Sequence, residues 1–148
     1  QFVEEGHLRW DSLGEFLALA VSIEDIANKT NNGKAKIIAK TLNTANSHYL
    51  KDDKSPSRKV NEIDNRGTHF YLALYWAKAL AEQNEDTSLK TEFEKVAKYL
   101  EDHEDKINEE LLKAQGYPQH IGGYYFPDET LVTKSMRPSA TLNTIIDN

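Results

Sequence analysis

Phe70–Ala81 reads FYLALYWAKALA, a run in which Lys78 is the only charge. A helix that is apolar nearly all round is a buried one, so a helix from about Arg66 to Gln83 is expected to be the central core element. Asp64-Asn65-Arg66-Gly67 reads as its N-terminal turn. The rest of the chain should pack around it.

Toward the N-terminus, Ser12 and Glu15 match the capping-box pattern S-x-x-E. Leu13, Phe16, Leu17, Val21 and Ile26 form a helical stripe, which predicts a helix from about Ser12 to Asn28. Asn31-Asn32-Gly33 ends it in a turn. A second helix is expected from about Lys34 to Leu50, with Ile37, Ile38, Leu42, Ala45 and Tyr49 inward. Lys51–Arg58, holding Pro56 and two aspartates, reads as a loop. Toward the C-terminus, Thr87 reads as the cap of a helix carrying Leu89, Phe93, Val96, Ala97 and Leu100. Asp102–Gln115 continues or restarts that helix through Ile107, Leu111 and Leu112, and Gly116-Tyr117-Pro118 stops it. The tail from Gln119 to Asn148 contains Gly122-Gly123, Pro127 and Pro138, and so should wrap irregularly. A last short helix is expected at about Ser139–Ile146, with Pro138 near its start. No β-alternation stands out. The expected class is all-α, with five to six helices and an irregular C-terminal tail.

The length of 148 residues suits one domain able to bury roughly 70% of its unfolded surface. A net charge of −6 argues against general affinity for nucleic acid or anionic membrane. Without cysteine there is no disulfide framework and no zinc-cysteine site, which fits a reducing cytosol. A cytoplasmic location is expected. No apolar run approaches the roughly 18 residues of a membrane span. The chain opens on Gln1 and its only methionine is Met136, so a C-terminal piece of a longer polypeptide is expected. Its opening, QFVEEGHLRW, has none of the marks of a signal peptide. Asn28-Lys29-Thr30 matches a glycosylation acceptor and reads as chance.

Most motif readings fall away. Trp10-Asp11-Ser12-Leu13-Gly14 resembles the opening of a tetratricopeptide repeat, but such repeats recur about every 34 residues and position 44 is Thr. Asn28–Gly33 echoes a calcium loop, yet the twelfth loop position is Ala39 rather than Glu. His7, His48, His69, His103 and His120 lack metal-ligand spacing, and no nucleophile elbow or glycine-rich phosphate loop occurs. The charged face between Lys90 and Lys113 reads as a solvated helix surface. Two places remain. Arg9-Trp10-Asp11 lies just before the Ser12 helix start, where free N–H groups and the helix dipole favour an anion. Arg58, with Lys59 beside it, lies on the Pro56 loop, and a guanidinium grips phosphate bidentately. Taken singly, each arginine reads first as a surface ion-pair partner.

Together these residues carry a family likeness. EEGHLRWDSLGEFLALAVS, KSPSRKVNEIDNRGTHFYLALYWAKAL, IGGYY and MRPSATLN closely resemble, in order, the C-terminal region of the monomeric-type NADP-dependent isocitrate dehydrogenases. The resemblance implies that residues 1–148 are the C-terminal helical segment of the small domain of a larger two-domain α/β enzyme. It implies oxidative decarboxylation of isocitrate to 2-oxoglutarate, with NADP and a Mg or Mn ion. By the same resemblance, Arg9, Asp11 and Arg58 contribute to the NADP site. The metal-binding aspartates, the isocitrate-binding residues, the catalytic lysine and tyrosine, and one further NADP-site histidine would lie upstream of Gln1. The partners implied are NADP, isocitrate and the upstream part of the same polypeptide, and this chain alone is expected to be inactive. The competing reading is a stand-alone helical module that binds a protein partner.

Overall fold

A computed structural model describes residues 1–148, and every regular element is helical. The elements are α1 (Phe2–Glu5), α2 (Leu13–Thr30), α3 (Gly33–Lys51), α4 (Asn65–Glu82), α5 (Thr87–Asp102), α6 (Glu104–Lys113), α7 (Glu129–Met136) and α8 (Ala140–Asp147). The all-α expectation holds. Two helices exceed the expected count because α1 and α7 are too short to leave a periodic stripe. Asp128 caps α7 by accepting from the Leu131 N–H at 2.9 Å.

The apolar run becomes α4, packed between α3 and α5. On one side Leu72, with Tyr75 and Trp76 beside it, meets Phe16 and Ala20 of α2 and Leu42, Ala45 and Tyr49 of α3. On the other, Phe70, Tyr71, Leu74 and Ala77 meet Ala97 and Leu100 of α5 and Ile107 and Leu111 of α6. Leu80 closes the far end against Ile37 and Leu89. Each large apolar side chain buried this way contributes about 1.5–3 kcal/mol. No helix is long and apolar enough to cross a membrane.

Three local expectations change, and one alternative is decided. The Ser12–Glu15 capping box does not form: Ser12 Oγ accepts from Asn65 Nδ2 at 2.8 Å, and Glu15 accepts from the Trp10 indole N–H at 3.2 Å. Of the stripe on α2, Leu17, Val21 and Ile26 are exposed. Phe16 is buried and Leu13 packs beside it, as expected, but the face is completed by Ala20, Ile23 and Ala27. That face repeats at alternating steps of three and four. Its alanines let α3 approach, whereas the helix carries apolar residues on more than one face and periodicity alone cannot choose. Asp86 rather than Thr87 caps α5, accepting from the Leu89 N–H at 2.9 Å. The chain breaks at His103, so α6 is a restart rather than a continuation.

One buried ion pair ties both ends of the chain to α4. Arg66 Nη2 lies 2.6 Å from Asp64 Oδ2, and both side chains are almost wholly enclosed. The same guanidinium donates to the Gly6 carbonyl at 2.5 Å and to the Ser135 carbonyl at 2.8 Å. Asp64 also caps α4 through the Arg66 N–H at 3.0 Å and accepts from the Leu8 N–H at 3.2 Å. Gly6 is fixed by geometry: its φ is +62°, and a Cβ there would sit 2.8 Å from the Ala114 carbonyl. Farther along the tail, Glu110 accepts from Ser139 Oγ at 2.5 Å, from Thr141 Oγ1 at 2.8 Å and from the Thr141 N–H at 3.2 Å. Glu110 thereby holds the start of α8.

Removing one partner of a buried pair costs about 3–5 kcal/mol, because the other charge is stranded. Arg66→Met should therefore lower the urea-unfolding free energy by about that much. A loss under about 1 kcal/mol would mean that the pair does not hold the termini. A second expectation concerns acid. Burial raises the Glu110 pKa, but the Ser139 and Thr141 hydrogen bonds outweigh it and set it below the usual 4.5. A carboxylate depressed in the fold stabilises it above the unfolded value and loses that contribution as pH falls through the folded one. Protection of the α8 amides, corrected for intrinsic exchange rate, should therefore fall as pH descends from 4.5. Glu110→Gln should flatten that response.

Candidate functional site

Two segments distant in sequence run side by side at the head of α4. The first, His7–Ser12, leads into α2; the second, Ser57–Asn65, leads into α4. His7 is fully buried, and its Nε2–H donates to the Ser57 carbonyl at 2.7 Å. Leu8 is held at both ends, its N–H by Asp64 and its carbonyl by the Asn65 N–H at 2.9 Å. The Asn65 side chain continues the seam, donating to the Trp10 carbonyl at 2.7 Å and to Ser12 Oγ at 2.8 Å.

Gln115, from the end of α6, braces the second segment from behind. Its Oε1 accepts from the Asn61 N–H at 2.9 Å, and its Nε2 donates to the Glu62 carbonyl at 2.8 Å. His7 Nδ1 lies 2.6 Å from the same Oε1. Between these anchors Ser57–Ile63 forms a closed turn, with the Ser57 N–H on the Ile63 carbonyl at 2.8 Å and Asn61 left-handed at φ +69°. Arg58 projects from that turn into solvent.

The first segment is tied from its other side. Asp11 Oδ1 accepts from the Leu13 N–H at 3.0 Å, doing for α2 what Ser12 was expected to do. The same oxygen accepts from the Tyr49 hydroxyl at 2.9 Å. Burial raises the Tyr49 pKa, opposed by its Ser55 neighbour and reinforced by Asp11. Asp11 pairs with no arginine.

The three residues singled out in the sequence thus sit on neighbouring strands of one seam. Arg9 is two positions from the His7–Ser57 bond, and Arg58 is one. Asp11 lies two residues beyond Arg9. The chain has four arginines, and they divide sharply. Arg66 is buried on Asp64, and Arg137 is paired with Asp147 at 3.0 Å. Arg9 and Arg58 are exposed and make no ion pair with the chain. Such a surface can receive an anion without first breaking an internal pair.

It is an open rim rather than a closed pocket. The larger clefts lie elsewhere, one of about 680 Å³ between α5, α6 and α8 and one of about 630 Å³ along the tail. Neither is lined by Arg9, Asp11 or Arg58. No three His, Asp or Glu side chains gather as metal ligands.

The residues that hold the rim escaped the sequence reading. His7 was one histidine among five without ligand spacing, and it proves to be a buried brace. Gln115 and Asn65 left no signal, because their partners lie far away in sequence. Tyr49 was read as an inward apolar position, which it is, but its hydroxyl has a separate task.

The sequence model of the family described as monomeric isocitrate dehydrogenase matches residues 1–147. Among curated relatives, isocitrate dehydrogenase (NADP) of Azotobacter vinelandii is 59% identical over 97% of this chain and 19% of its own length. Isocitrate dehydrogenase (NADP) 2 of Colwellia maris is 57% identical over 99% of the chain and 20% of its own length. The protein of that name from Mycobacterium tuberculosis is 54% identical with the same coverage. The chain spans about a fifth of the length of the curated relatives it matches.

Proposed function

The chain belongs to the monomeric isocitrate dehydrogenase family, and on that premise we propose that it supplies the 2′-phosphate and adenosine contacts of an NADP site. The whole polypeptide would convert isocitrate and NADP to 2-oxoglutarate, CO2 and NADPH in the cytoplasm. One observation carries this reading: two unpaired guanidinium groups flank a rigid, hydrogen-bonded seam between distant segments. The names of the relatives, each an NADP enzyme, support the choice of anion.

Each charge-assisted hydrogen bond from a guanidinium to a phosphate oxygen is worth about 1.5–3 kcal/mol. The 2′-phosphate distinguishes NADP from NAD, so these bonds act on cofactor choice rather than on hydride transfer. Asp11 cannot share the phosphate, since two anions repel. With Oδ1 engaged by Leu13 and Tyr49, its Oδ2 is left to accept from a ribose hydroxyl or the adenine amine. NADP supplies the hydride-accepting nicotinamide. Mg or Mn would be held by residues outside this chain, which gathers no ligand set of its own.

An open rim is what a contributing segment presents when another part of the polypeptide closes the site. Exposed apolar side chains support the same view. Leu17, Val21 and Ile26 of α2 face solvent, and Tyr124, Tyr125 and Phe126 are 81–91% exposed on one loop. We assign these surfaces to docking against the upstream part of the polypeptide. The fragment alone would then bind NADP weakly and turn nothing over.

Replacing Arg58 by Ala in the full-length polypeptide tests the reading. KM for NADP should rise about 10- to 150-fold, the equivalent of one charge-assisted bond, while KM for NAD changes little. Equal losses for the two cofactors would remove Arg58 from the phosphate.

A further inference from the structure

Tyr49 is the largest side chain that the fold encloses completely, and it ends in a polar atom. The hydroxyl lies where α3, the loop toward Arg58, the first turn of α4 and the entry to α2 converge. It donates to Asp11 Oδ1, two residues from Arg9. Ser55, three residues before Arg58, and Thr68 of α4 are its other polar neighbours. The Tyr49 carbonyl accepts from the Lys54 N–H at 3.1 Å, and the Lys54 carbonyl accepts from Thr68 Oγ1 at 2.6 Å. Phe16 packs edge-on against the tyrosine ring, with centroids 5.8 Å apart.

A phenol buried only for packing would be replaceable by phenylalanine without consequence for the surface. This one is bonded to the arm that carries Arg9 and anchored to the arm that carries Arg58. Among these partners Asp11 is exposed, whereas Thr68 is buried and Lys54 and Ser55 are half-buried. We infer that Tyr49 is a positioning residue for the nucleotide site, setting the spacing of the two arginines through Asp11 and the Lys54–Ser57 loop. The inference rests on the reading of Arg9 and Arg58 as the 2′-phosphate seat. It predicts that a fully buried residue governs the discrimination between adenosine nucleotides with and without a 2′-phosphate. Burial raises the Tyr49 pKa above its ordinary 10.0, so the hydroxyl remains a donor at neutral pH.

The test uses the full-length polypeptide as wild type, Tyr49→Phe, Asp11→Ala and the double variant, with Arg58→Ala as control. Calorimetry measures binding of 2′,5′-ADP and of 5′-AMP, and turnover is measured at saturating NADP. Tyr49→Phe should weaken 2′,5′-ADP about three- to tenfold, one ordinary hydrogen bond's worth, with 5′-AMP binding and kcat unchanged. The double variant should bind no worse than Asp11→Ala alone, because the two changes break one linkage. Unchanged 2′,5′-ADP affinity, an equal loss for 5′-AMP, or additive losses would each overturn the inference. Should Tyr49→Phe melt below the assay temperature, Ser55→Ala, which cuts the link between the tyrosine and the Arg58 arm, takes its place, with the same selective loss expected and an equal or absent loss overturning the inference. If Arg58→Ala keeps its preference for 2′,5′-ADP, the phosphate seat itself is wrong. If Arg58→Ala loses that preference and Tyr49→Phe keeps it, only the role of Tyr49 falls.

Discussion

Arg66 enters the interior at the first turn of α4, where water cannot solvate its charge. Asp64, two residues earlier, supplies the counter-charge and caps the helix with its other oxygen. A planar fork has more donors than one carboxylate can use, and the remaining ones reach the Gly6 and Ser135 carbonyls. Those two carbonyls belong to the opening segment and to the end of α7. A single cation therefore joins the opening segment to the end of α7 across the head of α4. A hydrophobic contact could glue the same pieces together, but it would not fix their register.

The consequence reaches the surface. Because Asp64 also accepts from Leu8, the strand leading to Arg9 is held against the strand coming from Arg58. His7, Gln115 and Asn65 extend that junction by hydrogen bonds that each need a specific atom in a specific place. Flexible arginines thus stand on a rigid base. Rigidity below and freedom above is the arrangement that anion recognition needs, since long side chains must close on a ligand without moving the backbone. That base lies wholly within residues 1–148.

Much of this was legible. FYLALYWAKALA announced a helix buried on all sides, and α4 is that helix. Arg9 and Arg58 read singly as surface ion-pair partners, and the fold leaves both exposed without such a partner. The failures share one cause. The Ser12–Glu15 pattern was local, and a buried Asn65 more than fifty residues away took the Ser12 hydroxyl first. The stripe on α2 mixed two faces, and beyond Leu13 and Phe16 the packing face runs through the small Ala20 and Ala27. Arg66 read as part of an ordinary helix turn, because nothing adjacent in sequence says that the tail will fold over it. Long-range polar partnerships leave no periodic trace.

The account stands on one spatial claim, that both unpaired guanidinium groups close on the same phosphate. A crystal structure of the full-length polypeptide with 2′,5′-ADP measures it directly. The expected density puts the 2′-phosphate within hydrogen-bond distance of Arg9 and Arg58 together, with the His7–Ser57 seam unchanged beneath. A 2′-phosphate seated on other side chains, with Arg9 and Arg58 turned away to solvent, would contradict it.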